Sequence, residues 1–301
     1  MINRYYEPGV MYSDFKKVIT SEFFFNEVVF NWLKTELAYT SNHIEGNTLT
    51  KKETALAIDE GISSGSKPIK DYVEAQNHAK AFEYIVSLKN EKISSYESVI
   101  LKIHEYILSG INDEEKGKYR NVRVRISGSN AVLPNPLKVP DLMKSFCEML
   151  DKKDDGIFKA FEAHYKLVEI HPFIDGNGRT ARLLMSLILL RLNVMPLIIQ
   201  PSERTRYLNS INLRNVKGKS FQYFKYMLKQ LVKSASIFET SFGSKIDSTI
   251  GLMKIAEFAK FCEVPVSTIR YYLRIKKITP IGHTDSGYAL FDRKQKSLIR
   301  P

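Results

Sequence analysis

Cysteine is scarce in this chain of 301 residues, which holds only Cys147 and Cys262. Two thiols so far apart have no paired spacing, which excludes a zinc knuckle and a secreted disulfide scaffold. Long apolar runs are also missing. The richest, Leu183 to Leu190, is broken by Ser186 and closed by Arg191, too short to span a bilayer. The opening MINRYYEPGVMYSDFKK is polar and aromatic, without the apolar centre of a signal peptide, so a cytoplasmic setting with no membrane partner is expected. Acidic residues are outnumbered, 33 against 45 Lys and Arg, for a formal net charge of +12. Hydrophobic residues at 44% and charged residues at 26% are ordinary for globular chains and exclude wholesale disorder.

The length suits two domains, and the charge divides along the same line. Residues 251–301 hold ten Lys or Arg and four Asp or Glu, half of the whole excess in one sixth of the chain. Such a basic module suits a polyanionic partner or a solvated Lys-rich face. The expected layout is a core over 1–235, a small polar linker over 236–250 (overlapping TSFGSKIDSTIG, residues 240–251) and a module over 251–301. No internal repeat or low-complexity tract is present.

The core reads as all-α. Residues 22–40 place Phe24, Val28, Trp32, Leu33 and Leu37 on one stripe at helical spacing. Helices are also expected over 72–88, 96–108, 157–170, 205–214 and 219–234. Residues 180–192 are apolar almost all round, as in a helix at the centre of a core. One segment departs from this pattern. Over 119–133, Val122, Val124 and Ile126 alternate and then meet Ser-Gly-Ser-Asn, which predicts a β-hairpin. Pro134, Pro136 and Pro140 follow and mark a loop.

Chemistry concentrates in residues 171–182, His-Pro-Phe-Ile-Asp-Gly-Asn-Gly-Arg-Thr-Ala-Arg. Gly176, Asn177 and Gly178 at the start of a helix leave free backbone N–H groups with the helix dipole behind them, an anion site. Arg179 and Arg182, three apart, project from one side of the first turn and suit the oxygens of a di- or triphosphate. Asp175 abuts this nest, placed for a Mg²⁺ that bridges phosphates. His171 flanks the same anion, and a neutral imidazole there accepts a proton from an attacking hydroxyl. Separately these features are a loop histidine, a turn and a solvated helix face. Twelve residues that carry all of them point to phosphate chemistry.

This stretch resembles, in full, the signature of Fic-domain proteins, H-x-F-x-[D/E]-G-N-G-R-x-x-R. The resemblance implies an all-helical fold over roughly 20–230 and transfer of AMP from ATP to a protein hydroxyl, with release of pyrophosphate. It implies that His171 is the general base on a target Ser, Thr or Tyr, and that Asp175 is the Mg²⁺ ligand. Gly176, Asn177 and Gly178 would hold the α-phosphate region, and Arg179 and Arg182 the outer phosphates. Relatives that act as kinases carry lysine at the second glycine; Gly178 here favours nucleotidyl transfer. The hairpin with Val122, Val124 and Ile126 falls where the family has its flap, an edge that aligns a target segment by backbone pairing.

Thr40 to Asn47 reads as a helix end, with Gly46 as its stop and Asn47 opening a turn. Ser41 to Gly46 also resembles the inhibitory pattern [S/T]-x-x-x-E-[G/N] of Fic proteins whose inhibitory helix precedes the core. That implies a Glu45 carboxylate paired with Arg182 in the place of the γ-phosphate.

In the module, 252–278 reads as two helices around a turn at Cys262-Glu263-Val264-Pro265, the second from Thr268 to Lys277. Arg270 and Arg274 lie on it, and Asp285-Ser286-Gly287 suggests a wing. Thr-Ile-Arg-Tyr-Tyr followed by Gly-Tyr resembles the DNA-binding half of MerR-type winged helices, which implies duplex DNA as a partner. The competing role is protein contact or homodimer assembly. The expected function is therefore protein adenylylation using ATP and Mg²⁺, self-modification included, restrained by Glu45. The alternative is a DNA-binding transcriptional regulator whose Fic domain senses nucleotide or only modifies itself.

Overall fold

The computed structural model describes residues 23, 25–61, 67–126, 131–152, 156–217, 220–242, 253–280, 282–283, 289–291 and 293–299. The chain forms two compact units, residues 1–235 and 236–301.

The first unit is helical: α1 Glu27–Ile44, α2 Lys51–Asp59, α3 Ile69–Ser87, α4 Tyr96–Leu108, α5 Val139–Asp151, α6 Ile157–Ile170, α7 Asn177–Arg191, α8 Arg204–Lys217 and α9 Ser220–Phe242, which runs on into the second unit. Side-chain caps fix several starts. Asn26 Oδ1 accepts the Val29 N–H at 2.9 Å, and Ser95 Oγ that of Ser98 at 3.2 Å. Thr50 and Glu53 cap α2 reciprocally.

Helix α7 is the central post. Every residue from Arg179 to Leu190 is buried, as its all-round apolar character predicts. Ala181, Leu184, Met185, Ile188 and Leu189 pack in one cluster with Ala163, Leu167 and Phe173. The small Ala163 and Ala181 let α6 and α7 lie close, which presents the loop between them, residues 171–176, at one end of the core.

Several expectations need correction. Along α1 the inward residue is Val29, whereas Val28 is 59% exposed; Phe24 lies outside the described residues. The proline-marked loop ends where α5 begins, because Pro140 sits in the first turn, where its missing N–H costs nothing. Val139, Met143, Phe146, Cys147 and Leu150 then face the core at helical spacing. The 236–250 linker is helical up to Phe242, where buried Phe238 and Phe242 meet one turn apart at 5.0 Å. Its remainder lies outside the described residues.

The β-hairpin over 119–133 is absent from the described residues: 119–126 and 131–133 form no strand, and Ser127–Asn130 lie outside. Buried Arg120 takes the backbone carbonyls instead. Its Nη1 donates to Val122 O at 3.0 Å and its Nη2 to Pro134 O at 2.8 Å, so one guanidinium joins the two arms. Val124 and Ile126 are half-buried, and Val122 is exposed.

In the second unit, α10 Ile255–Phe261 and α11 Val266–Arg274 accompany a small antiparallel sheet of β1 Met253–Lys254, β2 Gly282–His283 and β3 Ala289–Phe291, ordered β1-β3-β2. Phe258, Ala259, Cys262, Ile269, Ile278, Phe291 and Ile299 form its core, with Phe258 and Phe291 stacked at 5.1 Å. Helix α11 begins at Val266, after Pro265, and stops at Arg274 before Lys276 turns to φ 55°. The wing residues Asp285, Ser286 and Gly287 lie outside the described residues.

Candidate active site

The loop between α6 and α7 has two left-handed corners. His171 ends α6 at φ 51° and Gly176 opens α7 at φ 76°. A side chain at Gly176 would press on His104 and Ile107, each 3.2 Å from the added carbon. Between the corners, buried Phe173 lies flat on the His104 ring, centroids 3.6 Å apart. Asn177 fixes the turn from within: its Nδ2 donates to Phe173 O and its Oδ1 accepts the Phe173 N–H, both at 2.9 Å. Its amide thus pins the loop from both its oxygen and its nitrogen.

The His171 ring Nδ1 donates to Val168 O at 3.3 Å, which leaves Nε2 as the basic nitrogen. Burial pushes this imidazole below its ordinary pKa, opposed by the Val168 hydrogen bond, so it is neutral near pH 7. Arg120 Nε donates to His171 O at 2.7 Å, and the Arg120 N–H to Pro172 O at 2.8 Å. One buried arginine thus holds the His171 corner.

Asp175 is the open carboxylate of the loop, with 54% of its side chain exposed. Its Oδ1 accepts the Gly176 N–H at 2.6 Å and Arg179 Nη2 at 3.4 Å. Arg179 is buried and turns inward, where Nη1 meets Glu74 Oε1 at 2.9 Å. Arg179 thus faces carboxylates rather than solvent. Arg182 is held from α1: Nε donates to Ser41 Oγ at 2.9 Å, and Nη2 to Ser41 O at 3.0 Å and Glu45 Oε1 at 2.6 Å. Burial alone would lower the Arg182 pKa, but the Glu45 charge and the hydrogen bonds outweigh it and the net shift is upward.

Glu45 reaches this position because of how α1 ends. Gly46 at φ 100° donates to His43 O at 3.1 Å, and the Asn47 N–H donates to Asn42 O at 3.1 Å, a Schellman closure that leaves Glu45 as the C-cap. Arg204 Nε adds a 2.6 Å hydrogen bond to Ile44 O. Glu45 Oε1 lies over Gly178 so closely that a Cβ there would collide with it. The carboxylate therefore sits on the N-terminal turn of α7, where an anion belongs.

Buried neutral groups back the two arginines. Tyr223 OH donates to Phe161 O at 2.9 Å, so it accepts from His164 Nδ1 at 2.7 Å. His164 Nε2 then accepts from Tyr207 OH at 2.7 Å, and Tyr207 accepts from Arg182 Nη1 at 3.4 Å. Burial and the Arg182 and Arg214 charges push His164 down to about 3. His78 is likewise pushed to about 3 by burial, Arg182 and Arg179. His104, pushed to about 4 by burial, accepts the Gly117 N–H on Nδ1 and donates from Nε2 to Asp175 O, both at 3.0 Å.

The loop therefore brings together His171, Asp175, Gly176, Gly178 and Arg182, with Ser41, Glu45 and Gly46 from α1. Sequence reasoning missed Glu74, Asn47, His104, Arg120, Arg204 and Tyr207. None lies in the twelve-residue motif, and none carries a local pattern that separates it from a core polar residue.

This geometry coincides with the match to known proteins. Residues 93–189 match the Fic/DOC family model. The protein adenylyltransferase Fic of Nematostella vectensis is 37% identical over 182 residues, covering 59% of this chain and 42% of that protein. The chain thus spans less than half the length of that curated relative. Among solved structures, Fic-1 (residues 134–508) from C. elegans is similar with a TM-score of 0.68 at 26% identity, covering 78% of this chain and 72% of that one. A Fic-domain-containing signaling protein from Bacteroides thetaiotaomicron gives 0.62 at 26% identity, covering 75% and 94%. Residues 254–291 match the MerR family regulatory protein model.

Magnesium, which the Fic resemblance implies, fits the donors present. Among the described residues no cluster of three or more His, Cys, Asp or Glu forms a cation cage. Asp175 offers one accessible carboxylate beside an anion nest, and magnesium commonly takes one or two protein carboxylates and completes its shell with phosphate oxygens and water. No helix among the described residues is long and apolar enough to cross a membrane. In the second unit Arg270 and Arg274 lie one turn apart on α11, both exposed.

Proposed function

We propose that this chain is a protein adenylyltransferase of the Fic type, which moves AMP from ATP to a Ser, Thr or Tyr hydroxyl of a protein target, itself included, and that Glu45 restrains it. The observation that carries this reading is the Glu45–Arg182 pair, 2.6 Å, set on the α7 N-terminus beside His171 and Asp175. A carboxylate on that nest supports an anion site there, and a neutral histidine next to it supports proton removal at that point.

In the proposed reaction the target hydroxyl gives its proton to His171 Nε2 while its oxygen bonds the α-phosphorus. The α–β bridging bond breaks and the electron pair leaves with pyrophosphate. The α7 N–H groups at Asn177 and Gly178 receive the α-phosphate charge, the Gly176 N–H being held by Asp175 Oδ1 at 2.6 Å, and Arg182, once released by Glu45, receives the outermost phosphate. Mg²⁺ held by Asp175 supplies neutralisation of the phosphate charge. Most of the acceleration comes from this positioning and charge stabilisation, and His171 adds proton removal. Substrate choice by the segment carrying Val122, Val124 and Ile126 belongs to the same proposal: Val122 is exposed and the described residues 119–126 form no strand, which supports pairing with an extended peptide at positions other than Val122 O, held by Arg120.

Intact-mass spectrometry of the chain after incubation with ATP and Mg²⁺ tests this. An added adenylate that disappears in His171→Ala supports it. Unchanged labelling in His171→Ala removes the assigned base and with it this mechanism.

The second unit favours a further reading. Exposed Arg270, Tyr271 and Arg274 on α11, together with the MerR match, support a winged helix-turn-helix that meets duplex DNA, in which case AMP transfer serves a transcriptional regulator. Salt-dependent binding to duplex DNA separates this from a protein-docking module.

A further inference from the structure

Asp175 and Arg179 are backed by residues that the motif does not contain. Arg179 is 2% exposed and makes two ion pairs, with Glu74 Oε1 at 2.9 Å and Asp175 Oδ1 at 3.4 Å. The second oxygen of Glu74 accepts Asn47 Nδ2 at 3.0 Å, and Lys70 Nζ lies 3.8 Å from Oε1. Asn47 is itself fixed: Nδ2 also donates to Asp71 O at 2.9 Å, and Oδ1 accepts the Leu49 N–H at 3.0 Å. Asp71 in turn accepts from the Thr48 N–H and hydroxyl at 2.8 and 2.6 Å. A continuous hydrogen-bonded line therefore runs Asn47, Glu74, Arg179, Asp175. It begins two residues beyond Glu45 and ends on the carboxylate beside the anion nest.

A planar guanidinium offers its donors at fixed angles. With Nη1 committed to Glu74, the direction in which Nη2 holds Asp175 Oδ1 is settled by where Glu74 sits. Glu74 is buried, so it is aimed by its neighbours, and Asn47 is one of them. Both described hydrogen bonds to the Asp175 carboxylate go to Oδ1, which leaves Oδ2 for a ligand.

We propose that Glu74 and Asn47 are positioning residues of the Mg²⁺–nucleotide site: acting through Arg179, they orient Asp175 to receive the cation. The segment that places Glu45 on Arg182 thereby also governs the metal carboxylate: the stretch 41–47 reaches Arg182 directly, through Ser41 and Glu45, and Arg179 only through Glu74. This rests on the proposed role of Asp175 as the magnesium ligand.

The test uses the full chain carrying Glu45→Gly and His171→Ala, so that Arg182 is free and no turnover occurs. Binding of Mn²⁺ together with a non-hydrolysable ATP analogue is read from loss of the free Mn²⁺ signal in electron paramagnetic resonance, and binding of the analogue without metal by calorimetry. Glu74→Gln is expected to weaken metal-dependent binding about tenfold, the scale of losing a carboxylate that orients a metal ligand, and Asn47→Ala by a smaller factor in the same direction. Metal-free analogue binding stays within about twofold, since Arg182 is untouched, and Glu74→Asp recovers part of the loss. In the His171-intact Glu45→Gly chain, the half-saturating Mg²⁺ for AMP transfer rises by the same factor while the rate at saturating Mg²⁺ is kept.

Equal loss of metal-free and metal-dependent binding makes Glu74 a merely structural residue and overturns the proposal, as does unchanged metal dependence. If circular dichroism shows Glu74→Gln unfolded, Asn47→Ala decides alone, by the same two outcomes. Should Mn²⁺ binding respond as expected while no Glu45→Gly chain transfers AMP, the positioning role stands and the transferase reading falls.

Discussion

Glu45 Oε1 accepts a 2.6 Å hydrogen bond from Arg182 Nη2, joining the end of α1 to the first turns of α7 across 137 residues of chain. The Arg182 side chain is 8% exposed and that of Glu45 37%, so this is neither a screened surface pair nor a fully dry one. Ser41 supplies Arg182 with two more acceptors. Three contacts from one helix thus occupy the guanidinium to which the proposed reaction assigns the outermost phosphate. In that proposal, removal of any one of them shifts a competition rather than breaking the fold.

Ser41→Ala tests the weaker arm. It removes the acceptor of Arg182 Nε, a hydrogen bond to a charged group worth about 1.5–3 kcal/mol, and leaves Ser41 O and Glu45 in place. AMP incorporation from α-labelled ATP is expected to rise several-fold over the natural chain and to stay below that of Glu45→Gly. No change would mean that Ser41 contributes nothing to the restraint.

Gly178→Ala reads the Glu45 contact through stability. A Cβ at residue 178 meets Glu45 Oε1 and Arg182 Nη1, so the substitution destabilises the natural chain. In Glu45→Gly the nearer obstacle is gone while Arg182 Nη1 stays 3.1 Å from the added carbon, so the cost of the substitution falls. Urea unfolding of the four chains should therefore give a smaller loss in the Glu45→Gly background. Equal effects in both backgrounds would place Glu45 elsewhere in solution.

Acid should loosen the core before it protonates many carboxylates. His78, His104 and His164 have folded-state values pushed from 6.5 to about 3, 4 and 3. The unfolded chain then binds protons first as pH falls, so their contribution is complete above pH 6.5 and lost progressively below it. By about pH 5 each is expected to have withdrawn about 2 kcal/mol. Urea midpoints at about pH 7.5 and 5 check this; equal midpoints would mean these imidazoles protonate in the fold. The activity profile should follow His171 by the same logic, its acid limb lying below the ordinary histidine range because burial lowers that group.

For the second unit, duplex DNA binding should weaken steeply with salt, and Arg270→Ala and Arg274→Ala should each reduce the salt slope by about one. Binding that is flat in salt, or unaffected by both substitutions, would make α11 a protein-docking helix.

Much of the site was legible because it is local. Twelve consecutive residues carry His171, Asp175, the glycine turn and both arginines, and the apolar run after them announces a buried helix. Helix α7 and its loop follow directly from that pattern. Ser41 and Glu45 were reachable by resemblance alone; the Schellman closure at Gly46 agrees with the helix-end reading of that stretch and leaves Glu45 against Arg182. What escaped is what requires the third dimension. Arg120 sits in a segment whose alternation mimics a strand, yet its guanidinium collects the carbonyls that cross-strand pairing would have used. Glu74 lies mid-helix among ordinary polar residues, and only folding brings it to Arg179, 105 residues away. Helix α5 was hidden by prolines that are welcome in a first turn, and α2 by its brevity despite its Thr50–Glu53 capping box.

The most direct measurement compares initial rates of label transfer from α-labelled ATP for three chains: natural, Glu45→Gly, and Glu45→Gly with His171→Ala. Release of Arg182 from a charge-assisted bond of about 1.5–3 kcal/mol predicts a gain on the order of tenfold or more in Glu45→Gly, abolished by the added His171→Ala. A Glu45→Gly rate no higher than that of the natural chain, in a preparation whose label still depends on His171, would contradict the claim that Glu45 holds the phosphate site closed.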